Sequence, residues 1–146
     1  MSTEKTAAPA VEGWFETDAA GPHLVGGQCE KCGTFSFPRE TLYCKNPACD
    51  STAMRPVPLS RRGRIWSYTN ACYQPPAPYV AADPYVPFAI AAVELEREGM
   101  VVMGQLAEGV RVEDVRVGQE VELILETLFE DDRQRHLVWK WKPLGT

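Results

Sequence analysis

Four cysteines in two close pairs constrain this chain more than any other feature. They stand as Cys29-Glu30-Lys31-Cys32, then eleven residues, then Cys44 and Cys49 in a C-x4-C pair. Four thiolates so arranged can close a tetrahedron around one divalent ion at about 2.3 Å per bond. Gly33 after Cys32, and Asn46-Pro47 inside the second pair, supply the turn chemistry that each knuckle needs. Two pairs at this separation are the signature of a zinc module, with Cys29, Cys32, Cys44 and Cys49 as the ligands. A catalytic zinc keeps one position open and four cysteines leave none, so the expected Zn²⁺ is structural. Two disulfides would need an oxidising compartment, for which nothing in the sequence argues. A rubredoxin-like iron site uses the same four thiolates and stands as an alternative.

The residues around the cysteines read as short strands. His23-Leu24-Val25 leads into the first knuckle, Thr34 to Phe37 leaves it before Pro38, and Met54 to Leu59 returns after the second. Residues 22–58 thus have a zinc-ribbon layout, and a module of under about 40 residues needs its metal to fold. Residues 1–21 precede it. The first ten are small and polar and read as a flexible tail. Val11 to Ala20 is expected to form a short N-terminal helix stopped by Gly21-Pro22, with Trp14 and Phe15 covered by the rest of the chain or by a partner.

From Arg64 onward the hydrophobic period becomes two. Ile65 to Tyr73, Pro87 to Glu96, Gly99 to Leu106, Glu120 to Phe129 and Leu137 to Trp141 are five expected strands, with a helical or turn segment at Val112 to Val115. Along the fourth, Val121, Leu123 and Leu125 alternate with Glu120, Glu122 and Glu126. Along the fifth, Leu137, Trp139 and Trp141 share a face opposite Lys140 and Lys142. Five strands with a small helical element between the third and fourth is the plan of an OB-fold barrel. The fold class expected is therefore mostly β, an N-terminal helix, a Cys₄ zinc ribbon and a five-stranded OB-fold barrel over residues 59–146.

The net charge of −5 argues against a general nucleic-acid binder. Met1 to Gly13 has no apolar signal core, and the longest apolar run, Val86 to Val93, is too short to span a bilayer. The expectation is a soluble, cytoplasmic protein with no membrane contact. One basic cluster stands out, Arg61, Arg62 and Arg64, which reads either as a solvated linker or as an anion-binding patch suited to phosphates. The connection Gln74 to Val86 holds four prolines and, with its flank, Tyr73, Tyr79 and Tyr85. It reads as a contact surface or as a loop packed on its own barrel. Cys72 has no base visible nearby and is expected to be a buried structural thiol; His136 is expected to be solvated.

The order of these motifs resembles a known family. Trp14-Phe15, C-x2-C-G at Cys29 to Gly33, Pro38 and the second cysteine pair are followed by G-x-I-x-S-Y-T at Gly63 to Thr69. P-F-x-I-A-x-V-E-L at Pro87 to Leu95 and V-G-x-x-V-E-L at Val117 to Leu123 complete the pattern. Over residues 11–143 the chain resembles the DUF35 family, departing from it in the second cysteine pair, which is C-x4-C where the family has C-x2-C. The resemblance implies a non-catalytic accessory subunit in a hetero-oligomer with a larger thiolase-like or other enzyme acting on acyl-CoA thioesters. It also implies CoA or acyl-CoA as a ligand. Arg61, Arg62 and Arg64 would meet its phosphates, and Tyr68, Tyr79, Tyr85 and Phe88 would line its pantetheine arm or dock the partner. The alternative is a nucleic-acid-binding zinc-ribbon/OB-fold module, which needs stacking aromatics in a basic groove. The acidic balance and the confinement of arginine to one short run speak against it.

Overall fold

The computed structural model describes residues 6–72 and 87–144. Two β-layers are built from ten strands among these residues: β1 (Thr6–Pro9), β2 (Phe15–Asp18), β3 (Gly21–Cys29), β4 (Phe35–Ser36), β5 (Met54–Pro58), β6 (Arg62–Ala71), β7 (Phe88–Leu95), β8 (Val101–Leu106), β9 (Glu120–Glu130) and β10 (Gln134–Pro143). A three-residue 3₁₀ turn, Val112–Asp114, is the one helical element described, so no described helix is long enough to cross a membrane.

Strands β6 to β10 close a five-stranded barrel. Its order is β6-β7-β8-β10-β9 and back to β6, with β8 and β10 parallel and every other pair antiparallel. This is the OB-fold connectivity. The alternation expected of the strands is carried into the interior by Ile65, Ala91, Val93, Leu95, Val121, Leu123 and Trp141. Gly63 sits where β6 passes between β7 and β9. A Cβ there would run into the Glu94 carbonyl oxygen and lie 2.7 Å from Val93 Cγ1, so only glycine lets the strands approach this closely.

The second layer is the ribbon, with β3 paired to β2, β4 and β5. Here the N-terminal helix expected over Val11 to Ala20 is corrected. Phe15 to Asp18 is a strand, in register with β3 as Phe15↔Leu24 through Asp18↔Gly21. Gly13 (φ 82°) and Gly21 (φ 119°) take left-handed conformations that interrupt a helix and frame a hairpin instead, and Asp18 Oδ1 accepts the Ala20 N–H at 2.8 Å in the turn. The flexible-tail reading is corrected as well for Thr6 to Pro9, which lies parallel on β10 from Gln134 to Leu137.

Ribbon and barrel meet in an aromatic cluster. Trp139 of the barrel has Phe37 at 5.6 Å, Trp14 at 5.8 Å and Phe15 at 6.3 Å between ring centroids, and Trp14 meets Phe37 edge-on at 5.5 Å. Such pairs add about 0.5–1.5 kcal/mol each beyond their burial. A polar clasp holds the same junction. Glu98, its side chain 1 % exposed, accepts the Ser60 N–H at 3.1 Å and the Ser60 hydroxyl at 2.6 Å; Arg97 donates to Ser60 Oγ and to the Pro58 carbonyl at 3.2 Å. The turn between β7 and β8 is thereby tied to the end of the ribbon.

At the far tip of the β9–β10 hairpin, His136 stacks on Phe129 at 4.3 Å and bonds Asp131 at 2.7 Å, so it is mostly covered rather than solvated. The His136 bond, then the Arg133 and Gln134 N–H groups, hold the Asp131 carboxyl well below the usual carboxylate range. A depressed folded-state pKa contributes stability that is present above the unfolded value, about 3.9, and is lost as pH falls through the folded one. Asp131→Asn is therefore expected to destabilise the chain at pH 7, and the difference from the parent in urea unfolding should narrow at pH 3.

Candidate metal centre

The four cysteines come together at one end of the ribbon. Cys29 closes β3, and its knuckle is set by the Gly33 N–H donating to the Cys29 carbonyl at 3.0 Å, with Gly33 at φ 81°. The second knuckle turns between Asn46 and Cys49, where the Cys49 N–H donates to the Asn46 carbonyl at 2.9 Å and Asn46 Oδ1 accepts the Ala48 N–H at 3.0 Å. This Asn46-Pro47-Ala48 turn absorbs the two residues by which C-x4-C exceeds C-x2-C.

The resulting geometry fits a tetrahedral thiolate site. All four sulfurs lie within 4.8 Å of one another, with Cys29 and Cys49 at 3.8 Å and Cys32 and Cys44 at 3.5 Å. Four bonds of about 2.3 Å at tetrahedral angles place sulfurs about 3.8 Å apart. Cys29 and Cys44 are buried and Cys32 is exposed.

The electrostatics agree with a cation at the centre. The Cys32 N–H points at Cys29 Sγ and lowers that thiol's pKa. The Thr34 hydroxyl, 3.1 Å from Cys32 Sγ, and the Thr34 N–H hold Cys32 down at about 6. At Cys44 the Asn46 N–H favours the thiolate, but burial and the three neighbouring sulfurs outweigh it and push the thiol up to about 11. At Cys49 the Ser51 N–H is likewise outweighed by burial and by Cys32 and Cys29. Two of the thiols, Cys29 and Cys32, are thus eased toward ionisation and the other two resist it. A divalent ion reverses that sign and permits all four to ionise.

The other candidate residues scatter. Arg61 is half-buried and tied down within the molecule. Its guanidinium bonds Asp18 Oδ1 at 2.8 Å and the Pro22 carbonyl at 2.9 Å, joining barrel to ribbon. Asp18 lies below its usual pKa through the Ala20 N–H and the Arg61 charge. Arg62 and Arg64 are outward, loosely facing Glu122 at 3.7 Å and Glu120 at 3.8 Å, and line a cleft of about 330 Å³ with Glu94 and Glu96. Tyr68 is partly exposed on β6. Phe88 lies at the opposite end of the sheet, beside Ala71, in a second cleft of about 560 Å³ with Asn70, Leu106 and Lys140. The arginine pair and Phe88 are thus roughly 25–30 Å apart along β6, at about 3.3 Å per residue. Tyr79 and Tyr85 lie outside the described residues. Cys72 is exposed, correcting the buried-thiol expectation: it follows the last residue of β6 and is not enclosed by the barrel.

Two polar groups are buried where the sequence did not fix their surroundings. Lys140 is 8 % exposed and pairs with Glu126 at 3.3 Å, although strand alternation puts it on the face opposite the tryptophans. His23 is buried between Asp18 at 3.3 Å and Glu16 at 3.8 Å. The cross-strand register Glu16↔His23 is the signal that would have found it, and it needed β2 to be read as a strand.

Residues 18–55 match the rubredoxin-like zinc ribbon domain of ChsH2, and residues 56–125 match its C-terminal OB-fold domain. The chain is 32% identical over 124 residues to a DUF35 domain-containing scaffold protein of Methanocaldococcus jannaschii, covering 83% of this chain and 82% of that one. It is 33% identical over 130 residues to the benzoylsuccinyl-CoA thiolase subunit BbsA of Geobacter metallireducens, covering 88% and 80%. In three dimensions it is similar to a chain of the solved Ltp2-ChsH2(DUF35) aldolase, with TM-score 0.62, 26% identity and 83% and 84% coverage. The chain therefore belongs to the DUF35 family of zinc-ribbon and OB-fold proteins.

Proposed function

We propose that this protein is a non-catalytic accessory subunit, built on a structural Zn²⁺, of a larger thiolase-type enzyme that acts on acyl-CoA thioesters. The observation that carries this reading is the similarity to a thiolase subunit over 88% of the chain, which spans both ribbon and barrel. The chemistry of the described residues supports it. Both histidines lie beside carboxylates, His23 near Asp18 and Glu16 and His136 bonded to Asp131, and neither sits beside a nucleophile as a base. Four cysteines around one ion leave no ligand position for substrate. Benzoylsuccinyl-CoA is the substrate that the name of one thiolase-subunit relative suggests for the complex. Residues 22–58 are the zinc ribbon and residues 59–146 the OB-fold domain in this reading, and the complex is cytoplasmic.

CoA contact is assigned to the exposed pair Arg62 and Arg64 for the phosphates, with Arg61 bracing the strand behind them, and to Tyr68 and Phe88 along the sheet for the pantetheine arm. The separation between the two ends suits an extended ligand rather than a compact one.

The test is affinity capture of the tagged full chain from its source cells, followed by identification of the retained proteins. A stoichiometric thiolase-like chain is expected, and the pair should turn over CoA thioesters while this chain alone does not. In the pair, Arg62→Ala with Arg64→Ala should raise the KM for the thioester about tenfold with kcat little changed, as expected for loss of phosphate pairing. Recovery of nucleic acid with no large partner overturns the proposal.

A further inference from the structure

The barrel is not evenly sealed. Strands β8 and β10 share only two register positions, Lys140↔Gln105 and Trp141↔Leu106, at one end of β8. Toward Val101 no further register pair joins them, and a side chain bridges the two strands: Trp139 Nε1 donates to the Met103 carbonyl at 3.1 Å. Gly104 makes room for this bridge. A Cβ at that position would stand 2.8 Å from the indole nitrogens of both Trp139 and Trp141.

Trp139 is in turn held from the ribbon side. Phe37, Trp14 and Phe15 surround its ring. Phe15 is fixed on β2, and Trp14 by the Val25 N–H bond to its carbonyl at 2.8 Å. Phe37 is placed differently. It follows the two-residue strand β4, which pairs with Gly27 and Gln28 of β3, and lies in the segment between Cys32 and Cys44, whose two ends meet at their sulfurs. Around it, Leu42 and Tyr43 are exposed and contribute no enclosing core.

We propose that metal at the four-cysteine centre latches the β8–β10 seam of the OB barrel through Phe37. With the ion bound, the Cys32–Cys44 segment is fixed and Phe37 wedges Trp139 against β8. Without it the segment keeps the two-residue β3–β4 pairing but loses the clamp between its ends, Phe37 withdraws, and Trp139 is free to leave the Met103 carbonyl. Metal occupancy of the ribbon is then read out some distance away, as opening of the barrel on one side, while the β6–β7 side stays closed.

Hydrogen exchange read by mass spectrometry on the full chain, zinc-loaded and after chelation, tests this. Peptides over Val101–Leu106 and Leu137–Trp141 should exchange at least about tenfold faster after chelation, while those over Gly63–Thr69 hold their rate. Tryptophan emission should shift to the red in parallel. Phe37→Ala separates the latch from general unfolding. It keeps all four cysteines and should retain one zinc per chain, yet show the fast exchange of β8 and β10 with the metal still bound. If zinc-loaded Phe37→Ala exchanges like the parent, or if chelation frees only residues 29–53 and leaves β8 and β10 unchanged, the latch does not exist.

Discussion

Cys29→Ser removes the metal and, with it, the fold of the ribbon. Cys29 is 2 % exposed at the end of β3, and its sulfur lies 3.8 Å from Cys49. A serine hydroxyl does not ionise near neutral pH and does not replace a thiolate ligand, and the remaining three sulfurs are left around an open, wet position. The ribbon has little to fall back on. Leu24 and Val25 of β3 are buried, but Phe35 and Val57 are only partly so. Structural zinc contributes apparent binding energies of about 10–16 kcal/mol in zinc-finger peptides at neutral pH, which exceeds the stability of most small domains. Metal analysis should find one zinc per chain in the parent and none in the variant, and limited proteolysis should cut the variant between residues 29 and 53. Lys31→Ala is the control: the Lys31–Asp50 pair at 3.1 Å is exposed on both sides, so its loss should change stability by about 1 kcal/mol or less. Stoichiometric zinc in Cys29→Ser would refute a closed four-thiolate site.

Trp141→Ala should be the most damaging single change in the barrel. Trp141 is fully buried and heads the large side chains enclosed there; it lies on β10 between Leu123 of β9 and Leu106 of β8 in register. Its indole nitrogen has no hydrogen-bond partner, so the ring is retained for volume and apolar contact. Truncating a buried tryptophan costs about 3–5 kcal/mol, a third or more of the stability of a typical domain. Trp66→Ala, by contrast, removes a ring that is 62 % exposed and should stay within about 0.5 kcal/mol. Urea unfolding of the two variants beside the parent measures the difference; equal effects would mean the interior is not packed around Trp141.

The metal centre and the barrel were legible in the sequence for different reasons. Cysteine spacing is a local code, and both knuckles close through bonds within a few residues of each cysteine. The barrel strands announce themselves through period-two alternation, which burial enforces on every strand that has one wet face. What failed depended on distant partners. Phe15 to Asp18 carries two aromatics and acids in a window too short to show a period, and its strand character comes from β3. Thr6 to Pro9 is ordered by a strand more than a hundred residues away. Arg61 reads like its neighbours Arg62 and Arg64, yet Asp18 and the Pro22 carbonyl claim it, and no local feature of the sequence separates the three. The exposed Cys72 and the buried Lys140 were misjudged because alternation assigns a face to a residue but does not say where a strand outruns its barrel.

The clasp between Glu98 and Ser60 has a practical side. By position, a five-residue connection between two antiparallel strands is where an epitope tag, a fluorophore cysteine or new termini would ordinarily be placed. Here the turn is a measured spacer. One added residue between Leu95 and Gly99 would carry the carboxylate past the Ser60 hydroxyl it meets at 2.6 Å, leave a buried acid without those bonds and loosen the ribbon from outside. Handles for labelling or immobilisation belong elsewhere, and natural variation at this turn should spare its length together with Glu98 and Arg97, whose side chain donates to Ser60 Oγ and the Pro58 carbonyl.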